Sequence, residues 1–219
     1  MPGLELVILD CDGVLVDSEV ISNRVLARLL KEIGLPRTLA ETRREYQGLL
    51  LEEIVTRTEQ ALGRPLPADF LERFQAERAD EFRRELTPVR GAAAMVRRIK
   101  AAGVGLCVAS QGKLEKTRLT LGLTGLDQLF AHDAVFSAYS VTRGKPFPDL
   151  FLHAAAAMGA PPARCAVIED TPSGVIAAVG AGMRVLGYSA DSDEPALREA
   201  GAEVVRSLDE VPALLGLST

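Results

Sequence analysis

The chain has 219 residues, 47% of them apolar and 25% charged, with a net charge of −5. That supplies one large core, or a core with a smaller companion, and excludes a disordered or low-complexity chain. Acidic and basic residues are interleaved, and no block of lysine or arginine marks a nucleic-acid or membrane-surface partner.

The N-terminus, MPGLELVILD, has no basic segment followed by a long apolar run, so a signal peptide is not expected. Leu4–Leu9 is a short, nearly continuous apolar run, the pattern of a parallel strand buried on both faces. Residues 18–86 contain no convincing strand. Ile21–Ile33 has helical spacing and stops at Gly34; Leu51–Leu62 stops at Gly63; Ala68–Leu86 places Leu71, Phe74, Phe82 and Leu86 on one side. This predicts an all-helical insert, with Thr87–Gly91 as the return hinge. Beyond it, apolar runs at Val104–Ala109, Ala134–Ser137, Cys165–Ile168, Val185–Tyr188 and, more weakly, Glu203–Val205 alternate with helices. Those helices are Ala92–Ala102, Asp149–Met158 and Gly174–Ala181, each followed by glycine. The alternation predicts an α/β fold: a Rossmann-like parallel sheet with helices on both faces. No segment reaches membrane-spanning length. Cys11, Cys107 and Cys165 lie in or beside apolar runs, which suggests reduced thiols and a cytoplasmic location. His132 and His153 are far apart and form no ligand pair, so zinc is not expected.

The chemistry gathers at the carboxyl ends of the predicted strands, where open α/β sheets bind ligands. The first strand ends in Asp10-Cys11-Asp12-Gly13. Two carboxylates at this spacing can divide the work of nucleophile or metal ligand and of acid–base; alone, the motif is equally an Asx-turn. Cys11 between them alternates to the other face and reads as packing. Ser110 ends the second strand and can donate to a phosphate oxygen or cap a helix. Lys145, between Gly144 and Pro146, suits a phosphoryl transition state if it is held in place and is a solvated lysine if it is not. Glu169 and Asp170 follow another strand. Adjacent acids there call for a cation, and hard oxygen ligands suit Mg²⁺. Asp170 alone could also be a helix N-cap.

The order Asp-x-Asp, Ser, Lys-Pro, Glu-Asp, with the words DCDGVLVDSE, VASQG, GKPFPDLF and IEDTPSGVIAAVGAGM, resembles the four-part signature of the haloacid-dehalogenase-like hydrolase superfamily over essentially the full length. The insert is similar to the small helical cap of the β-phosphoglucomutase-like subgroup. The resemblance implies a catalytic core of residues 1–17 and 87–219 and a cap of 18–86. DCDGVLVDSEV and FSAYSVTRGKPFPDLFLHAAAAM look most like the sugar-phosphate phosphatases of that subgroup. The implied activity is Mg²⁺-dependent hydrolysis of small phosphorylated metabolites, sugar phosphates or phosphosugar acids, by a monomeric enzyme.

On that resemblance Asp10 becomes an aspartyl phosphate and Asp12 is the acid–base. Mg²⁺ binds the Asp10 carboxylate, the Asp12 carbonyl and Asp170, with Glu169 direct or through water, and Ser110, Lys145 and Gln111 hold the phosphoryl oxygens. Arg78, Gln47 and Lys113 are candidates for substrate selection, and Arg78 also reads as an arginine snorkelling from the apolar stripe. Closure of the cap about Asp17–Ser18 and Thr87–Gly91 would exclude bulk water. Related mutases have, after a cap glycine, an arginine for a second phosphate, and a cap-base histidine. Here Gly48-Leu49-Leu50-Leu51 has no arginine and Ser22 replaces the histidine, which disfavours a mutase. A phospho-accepting receiver module has no acid two residues after its aspartate and no helical insert. A dehalogenase would have less use for Asp12 and the Glu169-Asp170 pair.

Overall fold

The protein, seen here as a computed structural model, is described over residues 3–190 and 192–217. It forms two compact units, one from the chain up to Val16 and from Pro88 onward, the other from Asp17–Thr87. In the first unit β1 (Leu6–Leu9) is wholly buried, as its unbroken apolar run predicts. The chain then passes to the second unit, which contains α1 (Glu19–Glu32), α2 (Leu39–Tyr46), α3 (Leu51–Leu62) and α4 (Phe70–Glu85). The first unit resumes with α5 (Ala92–Ala101), β2 (Gly105–Ser110), α6 (Leu114–Leu123) and β3 (Val135–Ser137). It continues through α7 (Asp149–Ala157), β4 (Cys165–Glu169), α8 (Pro172–Gly180) and β5 (Arg184–Tyr188), and ends with α9 (Glu194–Glu199), β6 (Glu203–Val205) and α10 (Val211–Leu214).

The sheet order is β3-β2-β1-β4-β5-β6, and each neighbouring pair is parallel. Burial of every β1 residue requires cover on both faces, so the α/β fold with flanking helices is as expected. From β1 the chain steps outward to β2 and β3. It then returns to the other side of β1 for β4, β5 and β6, so the order reverses beside β1. At such a switch point the connections leave in opposite directions and open a crevice at the strand ends. The register levels those ends: Leu9 pairs with Val108 of β2 and with Ile168 of β4. The next residues along, Asp10, Ala109 and Glu169, therefore reach the same edge together.

The second unit has its own core of Val25, Leu26, Leu29, Leu30, Tyr46, Phe70 and Phe74, with Ile54 and Leu51 from α3. Of the apolar positions read from the sequence, Val25, Leu29, Leu30 and Phe74 lie in this core and Ile33 and Leu71 pack against it. Exposed ion pairs link α1 to α4, among them Arg28–Glu77 at 2.7 Å and Arg73–Glu32 at 2.7 Å. The helix α2 was not expected. Its start is nevertheless written in a capping box, in which Thr38 accepts from the Glu41 amide and Glu41 accepts from the Thr38 amide. α6 was also not expected, because it buries Thr117 and Thr120 beside Leu121 and its apolar residues do not mark the buried side. Nor were the short α9, which buries only Leu197, and α10.

Candidate active site

Asp10 leaves the end of β1 with its amide donating to the Ile168 carbonyl at 3.0 Å. Three residues on, Gly13 has φ +79°, a conformation that strains any L side chain. A Cβ at this position would also lie 2.1 Å from Asp170 Oδ2. Glycine therefore serves twice here, turning the chain sharply after Asp12 and admitting the Asp170 carboxylate against the backbone. The turn closes through Gly13 N–H to the Val16 carbonyl at 2.9 Å.

Glu169, the last residue of β4, is fully buried. Its Oε2 accepts from the amides of Asp170 and Thr171 at 2.9 and 3.0 Å and from the Thr171 hydroxyl at 2.9 Å. Thr171 caps α8 by accepting from the Gly174 amide at 3.2 Å, and Pro172 occupies the first turn. The carboxylate thus rests on the N-terminus of α8, where the helix dipole favours negative charge. Gly174 makes the approach possible, since a Cβ there would fall 1.9 Å from Glu169 Oε1. Thr171 rather than Asp170 is the cap, which leaves Asp170 to face the cluster. Its Oδ1 is buried and accepts no hydrogen bond.

Lys145 is the cation among these acids. Its Nζ donates to Asp10 Oδ1 at 2.7 Å, to Glu169 Oε1 at 2.5 Å and to the Ala109 carbonyl at 3.3 Å. It is buried, not solvated. Gln111 braces it: the Lys145 amide donates to Gln111 Oε1 at 3.0 Å and Gln111 Nε2 donates to the Lys145 carbonyl at 3.4 Å. Both ends of that side chain are directed at the Lys145 backbone, where the sequence expectation was a phosphate oxygen. Burial opposes the Lys145 charge, but Asp10 and Glu169 outweigh it and raise the pKa above the ordinary lysine value. Burial pushes Asp10 up to about 7, Lys145 opposes this, and the charges of Glu169 and Asp12 add to it.

Asp12 sits beside this group. Ser110 Oγ lies 3.5 Å from Asp12 Oδ2 and accepts from the Gly112 amide at 3.1 Å. Ser110 does not cap α6, whose N-cap is Lys113. Lys116, in the first turn of α6, forms an ion pair with Asp12 Oδ1. Sequence reasoning missed Lys116 together with the helix that carries it. The available signal was a lysine six residues after Ser110, in the stretch that connects two predicted strands. Thr171 and Gly174 were also missed, and Thr171-Pro172 was a readable helix start.

The remaining candidates have partners of their own. Lys113 Nζ stands 5.6 Å above the Tyr139 ring. In the helical unit, Gln47 is the C-cap of α2 and its Oε1 accepts from Arg43 Nε at 2.9 Å. Arg78 stacks over Phe74 at 4.7 Å and Phe82 at 5.9 Å. Cys11 packs with its Sγ 3.7 Å from Thr120 Oγ1, and burial pushes its thiol up.

Oxygens of Asp10, Glu169 and Asp170 all fall within 4.8 Å of one another, and the three residues are buried. Three buried carboxylates so close together, with hard oxygen donors and no nitrogen or sulfur among them, fit a small divalent cation such as Mg²⁺. Next to it stand an acid two residues from Asp10, a buried serine hydroxyl and a fixed lysine. The haloacid dehalogenase-like hydrolase model matches residues 4–182, most of the chain.

The chain belongs to the haloacid dehalogenase-like hydrolase family. This hydrolase is similar to 6-phosphogluconate phosphatase of Escherichia coli (strain K12), with 32% identity over 98% of this chain and 96% of that protein. Among solved structures it resembles a HAD family hydrolase from Deinococcus radiodurans R1 with bound phosphate and sodium. That likeness has a TM-score of 0.81 and 32% identity, and covers 100% of this chain and 98% of the other. It also resembles a putative β-phosphoglucomutase from Thermotoga maritima, with a TM-score of 0.78 and 28% identity over 97% of this chain and 98% of the other. Among the described residues no helix is long and apolar enough to cross a membrane.

Proposed function

We propose that this hydrolase is a Mg²⁺-dependent phosphatase that cleaves phosphate monoesters of small metabolites, sugar phosphates or phosphosugar acids, through an aspartyl phosphate at Asp10. The observation that carries the reading is the convergence of Asp10, Glu169 and Asp170 within 4.8 Å at the edge where Lys145 is fixed. Similarity to 6-phosphogluconate phosphatase over nearly the whole of both chains supports the same substrate class.

In the first step an Asp10 carboxylate oxygen attacks phosphorus. The bond from phosphorus to the ester oxygen breaks, its electron pair goes to that oxygen, and Asp12 delivers the proton that makes it an alcohol. In the second step water attacks the phosphorus of the aspartyl phosphate, Asp12 takes a proton from it, and the bond to Asp10 breaks. Inorganic phosphate leaves and both aspartates return to their starting forms. Lys145 and Ser110 hold the phosphoryl oxygens, and Gln111 keeps Lys145 aimed. Asp10, Asp170 and the Asp12 carbonyl would hold Mg²⁺, with Glu169 direct or through water. Bound there, the ion neutralises the repulsion between a carboxylate nucleophile and a phosphate dianion. The three buried, free cysteines support a reducing, cytoplasmic setting. The enzyme is proposed to act as a monomer, and selection among esters is assigned to the helical unit and Lys113.

The named likeness to a β-phosphoglucomutase keeps a mutase in view, but no arginine follows Gly48 to hold a second phosphate. Incubation with Mg²⁺ and a panel of sugar phosphates, 6-phosphogluconate among them, separates the readings. The expected outcome is free phosphate, lost on Mg²⁺ removal and in Asp10→Asn. Isomerised sugar phosphate without phosphate release would replace hydrolysis with mutase chemistry.

A further inference from the structure

Three arrangements stand outside the chemistry above. Phe147, Leu152, Ile176 and Val179 leave apolar surface exposed on and around α7 and α8, but nothing in the structure shows what covers it. The exposed Tyr139 with Lys113 above it belongs to the loop already assigned to substrate selection. The ion pair of Lys116 with Asp12 is different, because it joins a residue with no assigned role to the proposed acid–base.

We propose that Lys116 is a positioning residue that aims the Asp12 carboxylate at the leaving oxygen, an inference that rests on the phosphatase reading of Asp12. Asp12 lies past the end of β1 on a turn whose exit is set by Gly13, so the strand does not fix its side chain. Asp10 is anchored by Lys145, and Ser110 Oγ lies 3.5 Å from Asp12 Oδ2. Lys116 anchors Asp12 through an ion pair, and that side chain is held in turn. Its ammonium group and the Asp12 carboxylate are largely shielded, with side-chain exposures of 12% and 19%. Its stem runs over Gly112, where a Cβ would lie 3.3 Å from Lys116 Cδ and 3.4 Å from Ser110 Oγ. Gly112 does not have a positive φ, so its smallness here makes room for the lysine stem and is not a backbone requirement. The approach of Lys116 to Asp12 is thus built into the β2–α6 connection.

A shielded ammonium donating to Oδ1 orients the carboxyl more firmly than a solvent-facing one, because water competes less, and it leaves Oδ2 to carry the transferred proton. Orientation counts when the proton is needed. A sugar alkoxide is a poor leaving group and must receive a proton as its bond to phosphorus breaks. p-Nitrophenolate is stable as the anion and leaves without one. Loss of aim at Asp12 therefore penalises the first ester far more than the second. General acid–base groups contribute about 10²–10⁴-fold, and misplacement forfeits part of that.

The test compares kcat/KM, which reads through departure of the leaving group, for 6-phosphogluconate and p-nitrophenyl phosphate with Mg²⁺. In Lys116→Met the expected loss is about 10–100-fold on the sugar ester and less than about threefold on the aryl ester. The ratio of the two values does not depend on how much of the preparation is folded, so a less stable variant remains informative. Lys116→Arg, which keeps the charge, is expected to move the ratio back toward wild type. Equal losses on both esters, no loss on either, or a Lys116→Arg ratio as low as that of Lys116→Met would overturn the proposal while leaving the phosphatase reading intact. Wild-type protein inactive on both esters, or activity retained in Asp10→Asn, would overturn the phosphatase reading and this one with it.

Discussion

A buried aspartate with one lysine and two further acids around it is held against its own preference for water. Burial raises Asp10 from 3.8 to about 7, with Lys145 opposing and Glu169 and Asp12 adding. A carboxyl whose folded pKa exceeds its unfolded one binds the proton more tightly in the native state. Its contribution to stability is full below about 3.8 and is lost as the pH rises through about 7. Asp10→Asn removes that dependence. In metal-free protein the melting temperature of Asp10→Asn relative to wild type should therefore climb from pH 4 to pH 8, and added Mg²⁺ should shrink the gap by stabilising wild type more than the variant, which lacks one of the carboxylates. A difference that stays flat with pH in EDTA would mean that Asp10 is not titrating in this window. At this scale the sequence conveyed identities better than contacts. Asp10, Asp12, Ser110, Lys145, Glu169 and Asp170 could be named because strand ends collect functional groups. The partners of Gln111 could not, since a glutamine brace on a backbone thirty-four residues away leaves no mark on periodicity.

Among the elements, β1, β2, β4 and β5 were legible because a parallel strand buried on both faces must be almost wholly apolar. α6 was opaque for the opposite reason, since it buries threonines. With α6 went Lys116, so one illegible helix concealed one functional candidate. α8 shows how an element end builds a site. Its first turn receives the Glu169 carboxylate only because residue 174 has no side chain, a Cβ there falling 1.9 Å from Oε1. Gly174→Ala should push Glu169 from the helix terminus and from Lys145. Overpacking of this kind typically costs about 1–3 kcal/mol. Chemical denaturation of the metal-free protein should report that loss, with a weaker apparent affinity for Mg²⁺ in a parallel titration. Unchanged Mg²⁺ affinity would argue that Glu169 has no part, direct or indirect, in holding the ion.

For the molecule as a whole, the two units have separate apolar cores, one beneath and above the sheet and one among α1 to α4. The helical unit was readable as a strand-free stretch with helical spacing. Its short α2 was not, since it buries only Thr42 and Tyr46 and is otherwise mostly charged. Phe74 is buried in the helical core. Phe74→Ala should lower the stability of that unit by about 3–5 kcal/mol, the usual range for removing a core phenylalanine. Hydrogen exchange should then show amides of α1 and α4 opening more readily while those of β1 and β4 keep their protection. Loss of protection across both sets would mean that the two cores unfold as one.

The chain leaves the sheet-bearing unit and returns to it side by side. Val16 is bridged to Pro88, Leu15 O accepts from Val89 N at 3.0 Å, and Asp17 N donates to Thr87 O at 3.0 Å. Topologically, everything from Asp17 to Thr87 is an excursion that begins and ends at one doorway. Lengthening such a detour raises the entropic cost of closing it only logarithmically. A lineage carrying this arrangement can therefore lengthen or remodel the detour at little entropic cost to the sheet-bearing unit.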